Sequence, residues 1–218
     1  MNDLPLFPLN SVLFPGMPLQ LHIFEERYKQ MMNRCIDDKT PFGVVLIETG
    51  QEAGSALAMP HLIGCTAHIT QVQPLPFGRM NILALGRDRF RVHQLYQDKP
   101  YLSGDVEFIP LERDESVPTR TRALKLRHLL KQYLGTLENA GQLNFDESQL
   151  PNDSLALAYL SAVILQTDTR EKQLLLAAET ARDMLYDLVA LYRREVTLLE
   201  FMISDKDVMD NESPFSFN

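Results

Sequence analysis

The spacing of apolar residues changes once along this chain, near residue 115. In the first part, short apolar runs alternate with polar positions. Leu19, Leu21 and Ile23 are interleaved with Gln20 and His22, the period of a half-buried strand. Further short strands are predicted at 43–48, 63–73, 80–85, 90–95 and 102–109. One early helix interrupts them, because Phe24, Tyr28, Met31 and Cys35 recur at helical spacing. Many short strands with one early helix predict a closed or nearly closed barrel.

The second part has the helical period. Leu126, Leu130, Tyr133 and Leu137 form a stripe behind Ser116 and Pro118, a fitting N-cap and first-turn proline. A polar break containing Gly141 and Pro151 precedes a short helix over 154–166. Asp168 and Glu171 have capping-box spacing, and one long helix or two in tandem follow to about Phe201. From Ser204 the chain is acidic without a stripe, and it is expected to fray. The predicted division is therefore a β-rich part at 1–115, a helical part at 116–203 and an acidic tail at 204–218.

Composition sharpens this picture. Every proline but Pro151 and Pro214 lies between Pro5 and Pro118, where turns between strands need them. The net charge is −8, and residues 1–110 carry 9 Lys/Arg against 11 Asp/Glu, so most of the acidity lies beyond them. Such a balance opposes nonspecific binding to nucleic acid or an anionic membrane. Two cysteines, Cys35 and Cys65, do not make a secreted disulfide framework. Asp3 stands where a signal peptide would be basic, and no apolar run reaches the ~18 residues of a spanning helix. The expectation is a cytoplasmic protein.

The opening Leu4-Pro-Leu-Phe-Pro-Leu-Asn-Ser-Val-Leu-Phe-Pro-Gly-Met-Pro-Leu-Gln-Leu-His-Ile-Phe-Glu-Glu-Arg-Tyr28 resembles the start of the Lon protease N-terminal domain family. A leucine-proline strand, a Phe-Pro-Gly turn, an alternating strand and a Phe-Glu-x-Arg-Tyr helix start follow in that order. The segment Leu83-Ala-Leu-Gly-Arg-Asp-Arg-Phe-Arg-Val92, then Pro100-Tyr101-Leu102, and Lys172-Gln-Leu-Leu-Leu176 resemble later parts of the same family. The resemblance implies an α+β chain with a β-rich, PUA-like pseudo-barrel followed by a C-terminal helical bundle. It also implies binding of unfolded or specific protein substrates, in a stand-alone form without the ATPase and peptidase. PUA-like barrels also bind RNA, so fold alone does not choose between the two.

Motifs for catalysis are missing from the sequence. A P-loop needs glycine-rich backbone leading into Gly-Lys-Ser/Thr, and Lys39-Thr40 follows Asp38 instead. None of the ten serines has the Gly-Pro-Ser-Ala-Gly surroundings of a Lon nucleophile; Gly54-Ser55-Ala56 is the nearest fragment, in a small-residue loop. His61, Cys65 and His68 have ligand types suited to zinc. On a strand, however, Cys65 and His68 point to opposite faces, and a buried thiol is the expected role of Cys65. His22 with Glu25 reads as a strand-surface residue and a helix-start carboxylate rather than an acid–base pair. No enzyme, cofactor or metal is expected.

Binding features remain. Phe14, Pro15 and Met17 lie in one predicted turn, and Phe77 and Met80 in another, where hairpin tips should be polar. These five are the candidate protein-binding residues. Arg87, Arg89 and Arg91 share parity and would project from one strand face as secondary contacts to acidic groups. Arg120, Arg122, Lys125, Arg127, His128 and Lys131 cluster on the first long helix, where a solvated face is the simpler account and phosphates or an acidic peptide the alternative. Ala178, Leu185, Tyr192 and Leu199 recur every seven residues; packing on the other helices is the expected use, and a homodimer seam the alternative. The expected function is a noncatalytic protein- or peptide-binding module, an adaptor or quality-control component, with unfolded segments or a protease component as partners. The alternative is an RNA-binding PUA-like domain.

Overall fold

The computed structural model describes residues 3–49, 59–114, 116–139 and 146–211. Gly54-Ser55-Ala56 lies outside them. Two compact units result: described residues up to Glu112 together with Ala162–Ala178, and Arg113–Ser161 together with the described residues from Glu179 onward.

The first unit holds six strands: β1 (Asp3–Leu9), β2 (Pro18–Ile23), β3 (Phe42–Thr49), β4 (Met59–Pro74), β5 (Met80–Tyr96) and β6 (Ser103–Phe108). The sheet order is β2-β5-β4-β3-β1-β6, and β5 also pairs with β6. Five strands thus close into a ring, and β2 hangs from β5 as an extra strand. β5 does this by its length: residues 80–85 pair with β2 and residues 90–96 pair with β6. The two strands predicted at 80–85 and 90–95 are therefore one, with an irregular register between the pairs Cys65–Arg89 and Ala67–Gly86. Leu4, Leu6, Val45, Phe90, Val92, Leu102 and Val106 fill the ring interior.

Helix α1 (Glu26–Asp37) covers the sheet with Tyr28, Met31, Met32 and Cys35, all buried. The Tyr28 and Phe7 rings lie 4.3 Å apart, and Phe7 meets Phe42 at 6.2 Å. Phe24, assigned to this stripe by its spacing, instead precedes the helix and is 57% exposed. A period argument holds only inside the helix, and Phe24 lies before its first turn.

In the second unit α2 (Val117–Asn139) and α5 (Ala181–Asn211) pack on each other, with α3 (Ser154–Ile164) contributing as far as Ser161. The predicted stripe Leu126, Leu130, Tyr133 and Leu137 is buried, and the Tyr133 and Tyr192 rings meet edge-on at 5.3 Å. Of the heptad residues on α5, Leu185 and Tyr192 are fully buried within the chain and Leu199 is half-buried. From Leu185 to Tyr192 that track packs within the chain. Helix α4 (Thr169–Ala177) belongs to the sheet-bearing unit, and α5 continues to Asn211, past the point where fraying was expected. Asp168 caps α4 by accepting from the Arg170 amide at 2.6 Å, while Glu171 accepts from the Thr167 hydroxyl and leaves the capping box half formed. Among the described residues no helix is long and apolar enough to cross a membrane.

Candidate functional site

The five candidate binding residues do not share a surface. Phe14 is 0% exposed and Met80 6%, so both are core and cannot touch a partner. Pro15 and Met17 are half-buried, and only Phe77, 88% exposed, projects fully. The cause is the seating of each turn. At 14–17 the Met17 amide donates to the Phe14 carbonyl at 3.0 Å, and Gly16 takes φ +81, as a type II turn requires. The Gly16 amide then donates to the Gly86 carbonyl, and the Gly86 amide to the Met17 carbonyl, both at 2.9 Å. A Cβ on Gly86 would lie 2.2 Å from the Phe14 carbonyl oxygen, so only glycine admits this approach. The turn is clamped flat on β5 and its phenyl ring goes inward.

The other turn does the opposite. A single 3-10 turn, Pro76–Gly78, tips the β4–β5 hairpin, closed by the Leu75 amide on the Arg79 carbonyl at 2.8 Å. Phe77 has φ +63, a left-handed conformation that is rare for a bulky side chain. Its carbonyl accepts from Lys29 Nζ on α1 at 3.3 Å, and the Arg79 guanidinium lies 5.9 Å from its ring centre. The backbone is held while the ring stands in solvent. Met80, three residues on, is already inside the sheet.

Beside this tip runs the open side of β2. Its register, from Pro18–Leu85 to Ile23–Met80, puts Met17 and Phe77 at opposite ends of the strand. Those ends are about 17–20 Å apart for a strand of this length. Phe24 stands at the Phe77 end, stacked on His22 at 5.9 Å, while His22 Nδ1 and Asn81 Oδ1 are 2.7 Å apart. Gln20, His22, Gln71, Gln73 and Asn81 share one face of β2, β4 and β5 and give it a polar floor, with a shallow depression of about 640 Å³. Glu25 is the residue before α1 but makes no side-chain cap; its carboxylate pairs with Arg27 at 2.9 Å. Sequence reasoning missed Phe24, because its helical spacing to Tyr28 pointed inward.

A second apolar surface lies between α4 and the β3–β4 ladder, in a cleft of about 790 Å³. Exposed Leu62 and Leu174 rim it, with His61 and Arg170 alongside. Gln173 anchors its wall by donating Nε2–H to the Ile63 carbonyl at 3.0 Å.

The arginine row is broken. Arg87 and Arg91 are exposed, but Arg89 is 3% exposed and donates from Nη2 to the Ala178 carbonyl at 2.7 Å. It serves the C-terminal end of α4, where the helix dipole favours a cation. Arg89 and Arg91 keep their parity, pairing with Cys65 and Ile63 on an unbroken stretch, and only Arg87 lies across the register shift; Arg89 is buried because the end of α4 covers that position.

Cys65 is buried, and burial pushes its thiol up to about 12; burial likewise pushes Cys35 up to about 11. His68 is shifted downward, chiefly by desolvation and then by Arg87. Among the described residues no three His, Cys, Asp or Glu side chains gather as metal ligands would.

Comparison with known proteins agrees with this geometry. The family model for the ATP-dependent protease La (LON) substrate-binding domain matches residues 3–194. A Lon protease of Parabacteroides distasonis is 26% identical over 207 residues, covering 93% of this chain and 25% of its own length. One of Flavobacterium johnsoniae is 22% identical over 202 residues, 91% of this chain and 25% of its own. The chain thus spans about a quarter of the length of these curated relatives. The crystal structure of a Lon N-terminal domain protein from Xanthomonas campestris superposes with a TM-score of 0.66 at 26% identity, covering 87% of this chain and 98% of that one. The N-terminal domain of a Mycobacterium avium complex Lon protease gives 0.68 at 16% identity, covering 88% and 98%, a likeness of fold.

Proposed function

Because the chain belongs to the LON substrate-binding domain family, we propose that it is a noncatalytic module that holds extended or unfolded protein segments along β2. The observation that carries this reading is Phe77, a fully projecting aromatic kept at positive φ in a braced hairpin tip. A strained backbone costs on the order of 1 kcal/mol or more and persists where the surroundings over-determine it. Phe24 adds a second exposed aromatic at the same end. The side of β2 away from β5 has no strand partner among the described residues. Such an edge takes an extended segment by main-chain hydrogen bonds, with aromatic contacts adding affinity.

In this reading the β-rich part at 1–115 meets the client and the helical part at 116–203 follows it. The module acts in the cytoplasm as an adaptor in protein quality control, handing segments to a protease component. Arg89 is unavailable to phosphate, which weakens the RNA-binding alternative.

The test is fluorescence anisotropy with reduced, carboxymethylated α-lactalbumin as an unfolded probe and the native protein as control. Wild type binds the unfolded probe, and Phe24→Ser/Phe77→Gly weakens it by about tenfold, or ~1.4 kcal/mol, with unchanged melting. Equal binding by the variant overturns the proposal.

A further inference from the structure

The second unit carries a separate surface that client binding along β2 does not use. Helix α2 contains five Lys/Arg and one acidic residue, Glu138, in a protein whose net charge is −8. Its exposed side and α5 border a groove of about 500 Å³. Val117, Val189 and the Tyr186 ring form an apolar floor, and Arg122, Lys125 and Arg193 stand around it. Val117 and Tyr186 are largely exposed, so the floor is open to a ligand. The Arg122 guanidinium lies 5.2 Å from the Tyr186 ring centre and ties the two walls together. Among the described residues none of these three cations is ion-paired with a carboxylate. Neighbouring arginines are engaged: Arg113 lies 3.8 Å from Asp153, Arg182 lies 3.5 Å from Asp114, and Arg127 donates to the Pro151 carbonyl.

Three uncompensated cations around an apolar floor repel one another unless an anion joins them. We propose that this groove binds a short acidic peptide segment bearing an apolar or aromatic side chain. The carboxylates meet Arg122, Lys125 and Arg193, and the apolar side chain lies on Val117, Val189 and Tyr186. Charge complementarity selects the occupant, since a compact groove in an acidic protein favours few carboxylates with apolar side chains. A nucleic acid would need a basic track long enough to neutralise successive phosphates.

The experiment uses the full chain and a fluorescein-labelled ten-residue peptide alternating glutamate with leucine and phenylalanine. The same peptide with glutamine for glutamate and a labelled single-stranded oligothymidylate are the comparison probes. The acidic peptide should bind at least about tenfold more tightly than the glutamine peptide, and its affinity should fall on raising salt to roughly 0.3 M. Arg122→Glu/Arg193→Glu should lose about tenfold or more. Lys39→Glu/Arg170→Glu, which changes the net charge equally at exposed positions of the sheet-bearing unit, should not. If charge reversal lowers the melting temperature, Arg122→Gln/Lys125→Gln serves in its place with the same expected direction. Equal binding of the acidic and glutamine peptides overturns the proposal. So does equal loss in both reversal variants, or Arg122-dependent binding of the oligonucleotide without the peptide.

Discussion

Replacing Gly43 by alanine puts a methyl group into the ring of strands where no space exists for it. The new Cβ would lie 2.6 Å from Phe90 Cζ and 2.8 Å from a methyl carbon of each of Leu4 and Leu6. All three obstacles are side-chain ends. At Gly64 the corresponding carbon meets the Val44 carbonyl oxygen at 2.4 Å as well as Phe90 Cζ at 2.6 Å. Overpacking of this kind costs about 1–3 kcal/mol. The two sites should respond differently when Phe90, which is fully buried, is shortened. Phe90→Leu alone costs less than the ~3–5 kcal/mol of truncation to alanine. Combined with Gly43→Ala it removes the main clash, so the double variant should be more stable than additivity predicts by about 1 kcal/mol. Combined with Gly64→Ala it cannot move the Val44 carbonyl, and the losses should nearly add. Urea unfolding followed by circular dichroism, with hydrogen exchange assigning the transition of the strand amides, measures all five variants. A neutral Gly43→Ala, or equal coupling at both glycines, would refute the packing of Phe90 between them.

Four further outcomes are expected. Phe77→Gly should leave stability unchanged or raise it by up to about 1 kcal/mol, because glycine accepts positive φ, while probe binding falls; a clear loss in thermal melting would contradict this. Arg89→Met should destabilise by about 1–3 kcal/mol, since the buried Ala178 carbonyl loses its donor, and amide exchange at the end of α4 should quicken. Asp114 accepts from the Thr119 hydroxyl and the Ser116 amide, which holds its carboxyl down at about 2. A depressed folded value means a contribution complete above about pH 4 and lost as pH falls through 2, so urea midpoints of wild type and Asp114→Asn should converge over that range. Cys35 and Cys65, with thiols raised to about 11 and 12 by burial, should resist a thiol reagent in buffer at pH 8 and both react in urea; rapid labelling of either in buffer would count against its burial.

Local chemistry alone determined much of this protein. Alternation at 19–23 fixed a strand, and helical spacing fixed the buried stripe of α2, because each depends on residues a few positions apart. The Phe-Pro-Gly run announced a turn, and Gly16 takes the positive φ that a type II turn needs at its third residue. The ordered motif from Leu4 to Tyr28 resembled the family whose model matches residues 3–194. Which turn residues face water was not local. The direction of Phe14 depends on Gly86, seventy-two positions away, accepting the turn against its backbone. The burial of Arg89, on the same strand face as exposed Arg91, depends on the end of α4 arriving at Ala178. The exposure of Phe77 depends on Lys29 reaching its carbonyl from α1. Sequence period dictates which side of an element is apolar, but only long-range pairing decides whether that side meets another element or the solvent.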